Sequence, residues 1–262
     1  MAKTCAFCGS RELSREHVVP KWLTDFFRNE VGITDFDAGT TSPDGATRSW
    51  MMSGVEHKAR RFCKLPCNNG WMSAMEGRTK PILTKLMLAK KLPIDLTADE
   101  QDQLAIWAYK TALVMDFNLE GLSDEKFISI RPSAYKRFYR SRVPPDRGVR
   151  VWTLPVRDPK AGLWWRRTQF SMYHKPIRRG KKTIPRSNLS VYLTTFGLHH
   201  SVIQVCGRLR GHAVLRFADT DPRLLQIFPR LTAKATWPGD GQTVLRWNDL
   251  HTFATRSSFA PL

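Results

Sequence analysis

Two cysteine pairs, Cys5-Ala-Phe-Cys8 and Cys63-Lys-Leu-Pro-Cys67, carry the clearest chemical signal in the chain. Thiols separated by two or three residues sit on one turn, and two such turns supply the four soft ligands of a tetrahedral structural zinc site. A single CxxC also serves redox chemistry, but the βαβ surroundings of such a motif are missing here. The fifth cysteine, Cys206, is isolated and is expected to be a small buried side chain.

Polar residues flank both pairs. Glu16-His17-Val18-Val19-Pro20 follows the first pair, and Asn68-Asn69-Gly70-Trp71 directly follows the second. A zinc tetrahedron joining the two loops would bring His17 and Asn68 face to face across a strand-to-helix junction. An imidazole titrating at about pH 6.5 suits a general base at working pH. Carboxylate and carboxamide oxygens suit a hard cation such as Mg²⁺ or Mn²⁺.

In combination these motifs resemble the HNH endonucleases of the ββα-metal nuclease superfamily, over about residues 3–80. Their pattern is a cysteine pair, an acidic-His-hydrophobic-x-Pro strand, a second cysteine pair, then His or Asn opening a helix. The resemblance implies a metal-dependent DNA endonuclease that nicks or cuts phosphodiester bonds. His17 would be the general base, and Glu16 would take the metal-ligand position usually held by Asp or His. Asn68 would be the second ligand of a catalytic Mg²⁺ or Mn²⁺, with Asn69 its alternative. Zn²⁺ on Cys5, Cys8, Cys63 and Cys67 would hold the scaffold. The family's middle Asn is absent, and His57 or Lys58 stands in its place, with His57 able to orient the loop or the base. That departure supports the alternative, a non-catalytic zinc-stabilised nucleic-acid-binding protein or assembly subunit; an RNase is a further one. Glu76 either reaches the metal or pairs with Arg78 or Lys80.

The chain has 42 Lys and Arg against 23 Asp and Glu, a net charge of +19 that calls for a polyanionic partner. The excess is uneven: residues 131–186 hold 17 basic side chains and only Asp146 and Asp158 as acids. Arg137, Arg140, Arg142, Arg166, Arg167, Arg178, Arg179, Lys181, Lys182 and Arg186 are the candidate contacts to nucleic acid, with duplex DNA as the expected partner. The dense Arg178–Lys182 run reads as a mobile arm on the backbone or in a groove.

The elements that must position these groups are an α+β set. An N-terminal zinc-stabilised ββα-metal module, residues 1–92, is expected to precede a basic domain, residues 93–262, of a helix and a mostly antiparallel sheet. Pro20 to Val31 has helical spacing, residues 35–49 read as a loop or hairpin, and a helix follows Asn69, with Pro81 expected to kink or divide it near Thr79. Leu92–Asp95 looks like a connector. Thr97-Ala-Asp-Glu100 resembles a capping box before a helix buried on Leu104, Trp107, Ala108, Thr111, Ala112 and Met115. Pro132–Arg142 reads as a short exposed basic helix, and alternation from Val149 onward, including Ala213–Phe217, reads as strands. Trp22, Phe26 and Trp71 are expected as core around the zinc. No run of 18 apolar residues and no leading apolar stretch is present, so a cytoplasmic protein with no membrane partner is expected. Cutting both strands of a duplex commonly asks for two active sites, which a dimer would supply.

Overall fold

The computed structural model describes residues 4–34, 36–41, 47–52, 58–117, 130–157, 159, 163–173, 177–179, 182–184, 188–210, 223–239, 244–249 and 253. Strand β1 (Leu13–His17) leads through the buried pair Val18-Val19 into helix α1 (Lys21–Phe26), which runs on through wider turns at Phe27–Val31 and stops at Gly32, φ +75°. Strands β2 (Phe36–Thr41) and β3 (Thr47–Met52) form a hairpin, one of the two forms expected there. Strand β4 (Lys58–Cys63) pairs antiparallel with β1, placing Leu13 opposite Cys63 and His17 opposite Lys58, with a bulge between Ser14 and Glu16.

After the turns of Lys64–Met72, broken by extended backbone at Leu65 and Gly70, helix α2 spans Ser73–Leu88 without interruption. The division expected near Thr79 is absent, since α2 continues through Pro81. Pro81 lies on the exposed side of α2, where water can satisfy the carbonyl of exposed Gly77 one turn back. The expected connector is instead a strand, β5 (Ile94–Thr97). Helix α3 (Ala98–Met115) then starts on a complete capping box, with Thr97 Oγ1 accepting from the Glu100 N–H and Glu100 accepting from the Thr97 N–H.

Helix α4 (Pro132–Ser141) buries Tyr135 and Phe138 and ends at Arg142 in the left-handed region. Nine strands follow: β6 (Val149–Arg157), β7 (Leu163–Tyr173), β8 (Ile177–Arg179), β9 (Lys182–Ile184), β10 (Asn188–Leu198), β11 (Ser201–Arg210), β12 (Leu225–Phe228), β13 (Lys234–Trp237) and β14 (Leu245–Arg246). The main sheet has the order β12-β6-β11-β10-β7, all antiparallel, with β14 parallel to β6. Its central strands are buried on both faces: Val151 of β6 joins the main core, while its neighbour Trp152 packs in a second apolar cluster with Val191, Leu193 and Cys206. Ala213–Phe217 lies outside the described residues.

One apolar core runs through residues on both sides of position 92: Phe7, Phe62 and Met75 belong to the same cluster as Trp107, Tyr135, Phe138 and Phe196. Strand β5 also pairs with β13, from the far end of the chain. No helix among the described residues is long and apolar enough to cross a membrane.

Candidate metal centre and active site

The first cysteine turn closes on itself. The Gly9 N–H donates to the Cys5 carbonyl at 2.9 Å, and Gly9 takes φ +83°, a conformation that costs glycine nothing. The Ala6 N–H donates to the Arg61 carbonyl at 2.9 Å, docking this turn onto β4 beside Cys63. Cys67 sits on the first turn after β4, so all four sulfurs converge. Cys5 Sγ is 3.8 Å from Cys67 Sγ, Cys8 Sγ is 3.4 Å from Cys63 Sγ, and all four lie within 4.8 Å of one another. Tetrahedral sulfurs on a zinc ion with bonds of about 2.3 Å stand about 3.8 Å apart. The quartet therefore fits a metal ion such as zinc, and it is the one such cluster among the described residues.

The electrostatics of the quartet point the same way. The sulfur–sulfur contact between Cys5 and Cys67 holds Cys5 down to about 4 and drives Cys67 far above the ordinary thiol range. Burial lifts Cys63 to about 11. Thiols crowded this closely ionise together only when a cation shares them.

The knot is packed from outside by aromatic rings. Phe7, between the two cysteines of the first turn, lies 5.0 Å from Phe62, 5.2 Å from Trp71, 5.8 Å from Tyr135 and 6.3 Å from Phe138, centroid to centroid. Phe26 is buried, and Trp22 and Trp71 are partly buried against the same core.

Next to the knot, the Asn68 side-chain amide donates to the Arg15 carbonyl at 3.4 Å, across 53 positions of sequence. Asn68 thus lies against the strand residue preceding Glu16 and His17. Asn69 is exposed, and His17, half-buried, ends β1 opposite Lys58. His57 lies outside the described residues.

Glu16 faces inward. It is 4% exposed, and its Oε1 is 3.5 Å from Lys110 Nζ on α3. Lys110 is fully buried and donates to Glu76 Oε1 at 2.7 Å. Glu76 therefore pairs with a cation from α3, while Arg78, one of its two expected partners, donates to Gln103. Burial pushes the Glu16 carboxyl up to about 7, with Lys110 opposing and Glu76 adding. Burial alone would lower the Lys110 ammonium, but Glu76 and Glu16 outweigh it and hold it above its ordinary value. Lys110 was not among the residues expected at the site. Its signal was a single charge inside the apolar run Leu104–Met115.

The candidate phosphate contacts divide. Arg137 and Arg140 lie on the exposed face of α4. The Arg142 guanidinium stacks 4.2 Å from both the Trp71 and Tyr139 ring centroids. Arg166 is half-buried on β7. Arg167 turns inward instead: it meets Asp116 at 2.6 Å, donates to the Ala112 carbonyl at 3.1 Å and lies over the Tyr192 ring. Asp116 also accepts from Tyr135 Oη at 2.8 Å and from the Ile130 N–H at 2.9 Å. Arg178, Arg179 and Lys182 belong to the β8–β9 hairpin, in which Arg179 is opposite Lys182; Lys181 and Arg186 lie outside the described residues.

A basic surface that the sequence reading missed lies at the end of α2. A groove of about 650 Å³ is lined by Pro81, Leu88 and Ile94 together with Lys80, Lys85, Lys90 and Lys91. Lys85 is paired with Glu100, and Lys80 stands 5.6 Å from the Trp22 ring centroid. Lys80, Lys90 and Lys91 have no ion-pair partner among the described residues.

Compared with family models, curated proteins and solved structures, the chain matches none.

Proposed function

We propose that this chain is a metal-dependent DNA endonuclease of HNH type, and that its ββα unit is β1, β4 and α2 around a zinc-bound cysteine quartet. The observation that carries this reading is the Asn68 bond to the Arg15 carbonyl. It brings the two polar motifs together beside the sulfur knot, which supports a shared site for them.

His17 takes a proton from water, and the oxygen attacks phosphorus in line with the departing 3′-oxygen as that P–O bond breaks. Glu16 and Asn68 offer oxygen atoms of the kind a hard cation takes, and Asn68 is oriented through its amide nitrogen. A pair of protein oxygens suits Mg²⁺ or Mn²⁺, since such ions keep waters and substrate phosphate in their shell. When bound, the cation supplies charge stabilisation to the phosphorane and the leaving oxygen. The exposed basic groups of α4 and of the α2 groove hold the phosphate backbone.

The test is supercoiled plasmid with Mg²⁺ or Mn²⁺. Nicking is expected, and His17→Ala should lower it by about 10²–10⁴-fold with DNA affinity kept. Undiminished cleavage by this variant, with contaminating nuclease excluded, removes His17 as the base. A second reading, a non-catalytic zinc-stabilised nucleic-acid-binding protein, is favoured by one observation: Glu16 already has a cation, Lys110, beside it. DNA binding without divalent-dependent nicks by the wild type would select it.

A further inference from the structure

We propose that the groove at the end of α2 binds an unpaired DNA strand, so that the substrate is a duplex carrying a single-stranded segment. The inference rests on DNA being the partner, and it stands whether the chain cuts that partner or only binds it. Lys80, Thr84 and Leu88 recur at a helical interval and share one face of α2, about 12 Å long at about 1.5 Å per residue. The acids near this face are already engaged: Asp95 pairs with Lys234 at 2.7 Å, and Glu100 with Lys85. Lys80, Lys90 and Lys91 are exposed, and no acid among the described residues pairs with them. Three such cations on one groove call for an anion from outside.

The same groove is also apolar. Leu88 and Ile94 are half-buried and Pro81 is exposed, while Leu92, the next residue after Lys91, is 53% exposed. This pairing of charge with apolar surface selects the ligand. A duplex keeps its base faces stacked inside and presents phosphates and sugars, from which Leu88 and Ile94 gain little. An unpaired strand offers phosphates and uncovered base faces side by side. A volume of about 650 Å³ lies within the range of roughly 300–1,000 Å³ that takes ligands of nucleotide size. The Lys80 end of the groove meets Trp22 of α1, the helix into which β1 leads past His17.

The test is fluorescence anisotropy with the full-length, zinc-loaded protein in buffer free of other divalent ions, so that nothing is cut. Three labelled probes share one duplex: blunt, with an unpaired dT tail of about ten nucleotides, and with an abasic tail of the same length. The wild type should bind the dT-tailed probe about fivefold or more tighter than the abasic-tailed one, which carries the same phosphates without bases. Leu88→Ser removes apolar surface from the groove and should cut that advantage below about twofold. Should Leu88→Ser fail to fold, Thr84→Glu places a carboxylate on the half-buried middle of the same face and should abolish the advantage. Arg137→Gln/Arg140→Gln, on α4, should weaken all three probes and keep their ratio. Equal affinity of the wild type for the dT and abasic tails, or an undiminished advantage in a folded groove variant, overturns the proposal; binding of the blunt duplex then leaves the DNA-binding reading standing. Tighter binding of an rU tail, or of an acidic leucine-rich peptide, through the same residues gives the groove to RNA or to a protein and overturns it too. Failure of the wild type to bind any of the three DNA probes overturns both readings.

Discussion

Replacing Cys67 by serine tests the sulfur knot most directly. Cys67 is fully buried and stands 3.8 Å from Cys5. A structural zinc with four thiolates contributes about 10–16 kcal/mol of apparent binding free energy at neutral pH, so one ligand's share is about 3 kcal/mol. A buried hydroxyl that cannot replace the thiolate adds roughly 1 kcal/mol. In a chain of this size each kcal/mol moves the melting temperature by about 2–4 °C, so Cys67→Ser should melt about 12 °C lower. Metal analysis should find one zinc per wild-type chain and much less in the variant. Cys206→Ser is the internal control, because Cys206 is buried in the main sheet among Trp152, Val191 and Leu193, away from the quartet. It should keep its zinc. A wild-type protein that purifies without metal, and whose melting temperature neither chelator nor added zinc changes, would refute the reasoning.

Other consequences can be checked separately. Arg167→Met strands the buried Asp116 carboxylate and should cost about 3 kcal/mol in urea unfolding, while leaving the salt dependence of DNA binding unchanged. Arg137→Gln/Arg140→Gln should do the reverse, because both side chains are exposed on α4. Neutralising Lys80, Lys90 and Lys91 to Gln should flatten the plot of log Kd against log salt by about 2–3, if each ammonium meets one phosphate. An unchanged slope removes the α2 groove from the interface. His199, in the turn between β10 and β11, is held down to about 4 by burial first and then by the His200 ring 4.5 Å away. The unfolded chain binds this proton near pH 6.5, so its contribution to stability is present above that value and is lost as pH falls toward 4. Asn tolerates the left-handed backbone here, φ +53°, so His199→Asn should fold and should flatten the loss of stability between pH 7 and pH 5, by about 1 kcal/mol once solvent screening of the half-exposed ring is counted.

The parts of this molecule legible in the sequence are those set by local spacing. The cysteine turns, the Thr97–Glu100 capping box and the alternation of β6, β10 and β11 each depend on residues a few positions apart, and each appears where its pattern lies. The approach of Asn68 to β1 was also legible, because the two converging cysteine turns supply the long-range constraint. What escaped depends on partners distant in sequence. The single charge of Lys110 on an apolar face makes sense only once Glu16 and Glu76 are known to surround it. Arg167 counts as a phosphate contact by composition, but Asp116 and Tyr192 draw it inward. Pro81 breaks a generic helix, yet an exposed face and a preceding glycine let α2 continue.

The aromatic ring at the tip of the first cysteine turn has a consequence for how the protein is made. Cys5, Cys8, Cys63 and Cys67 can capture an ion once the ribosome has released the first quarter of the polypeptide. Phe7 cannot reach its final seat against Tyr135 and Phe138 until translation has passed α4. With an ion captured, nascent chains would carry the knot with a bare hydrophobic cap from residue 67 until α4 is complete at Ser141, an interval in which chaperones have a reason to hold them.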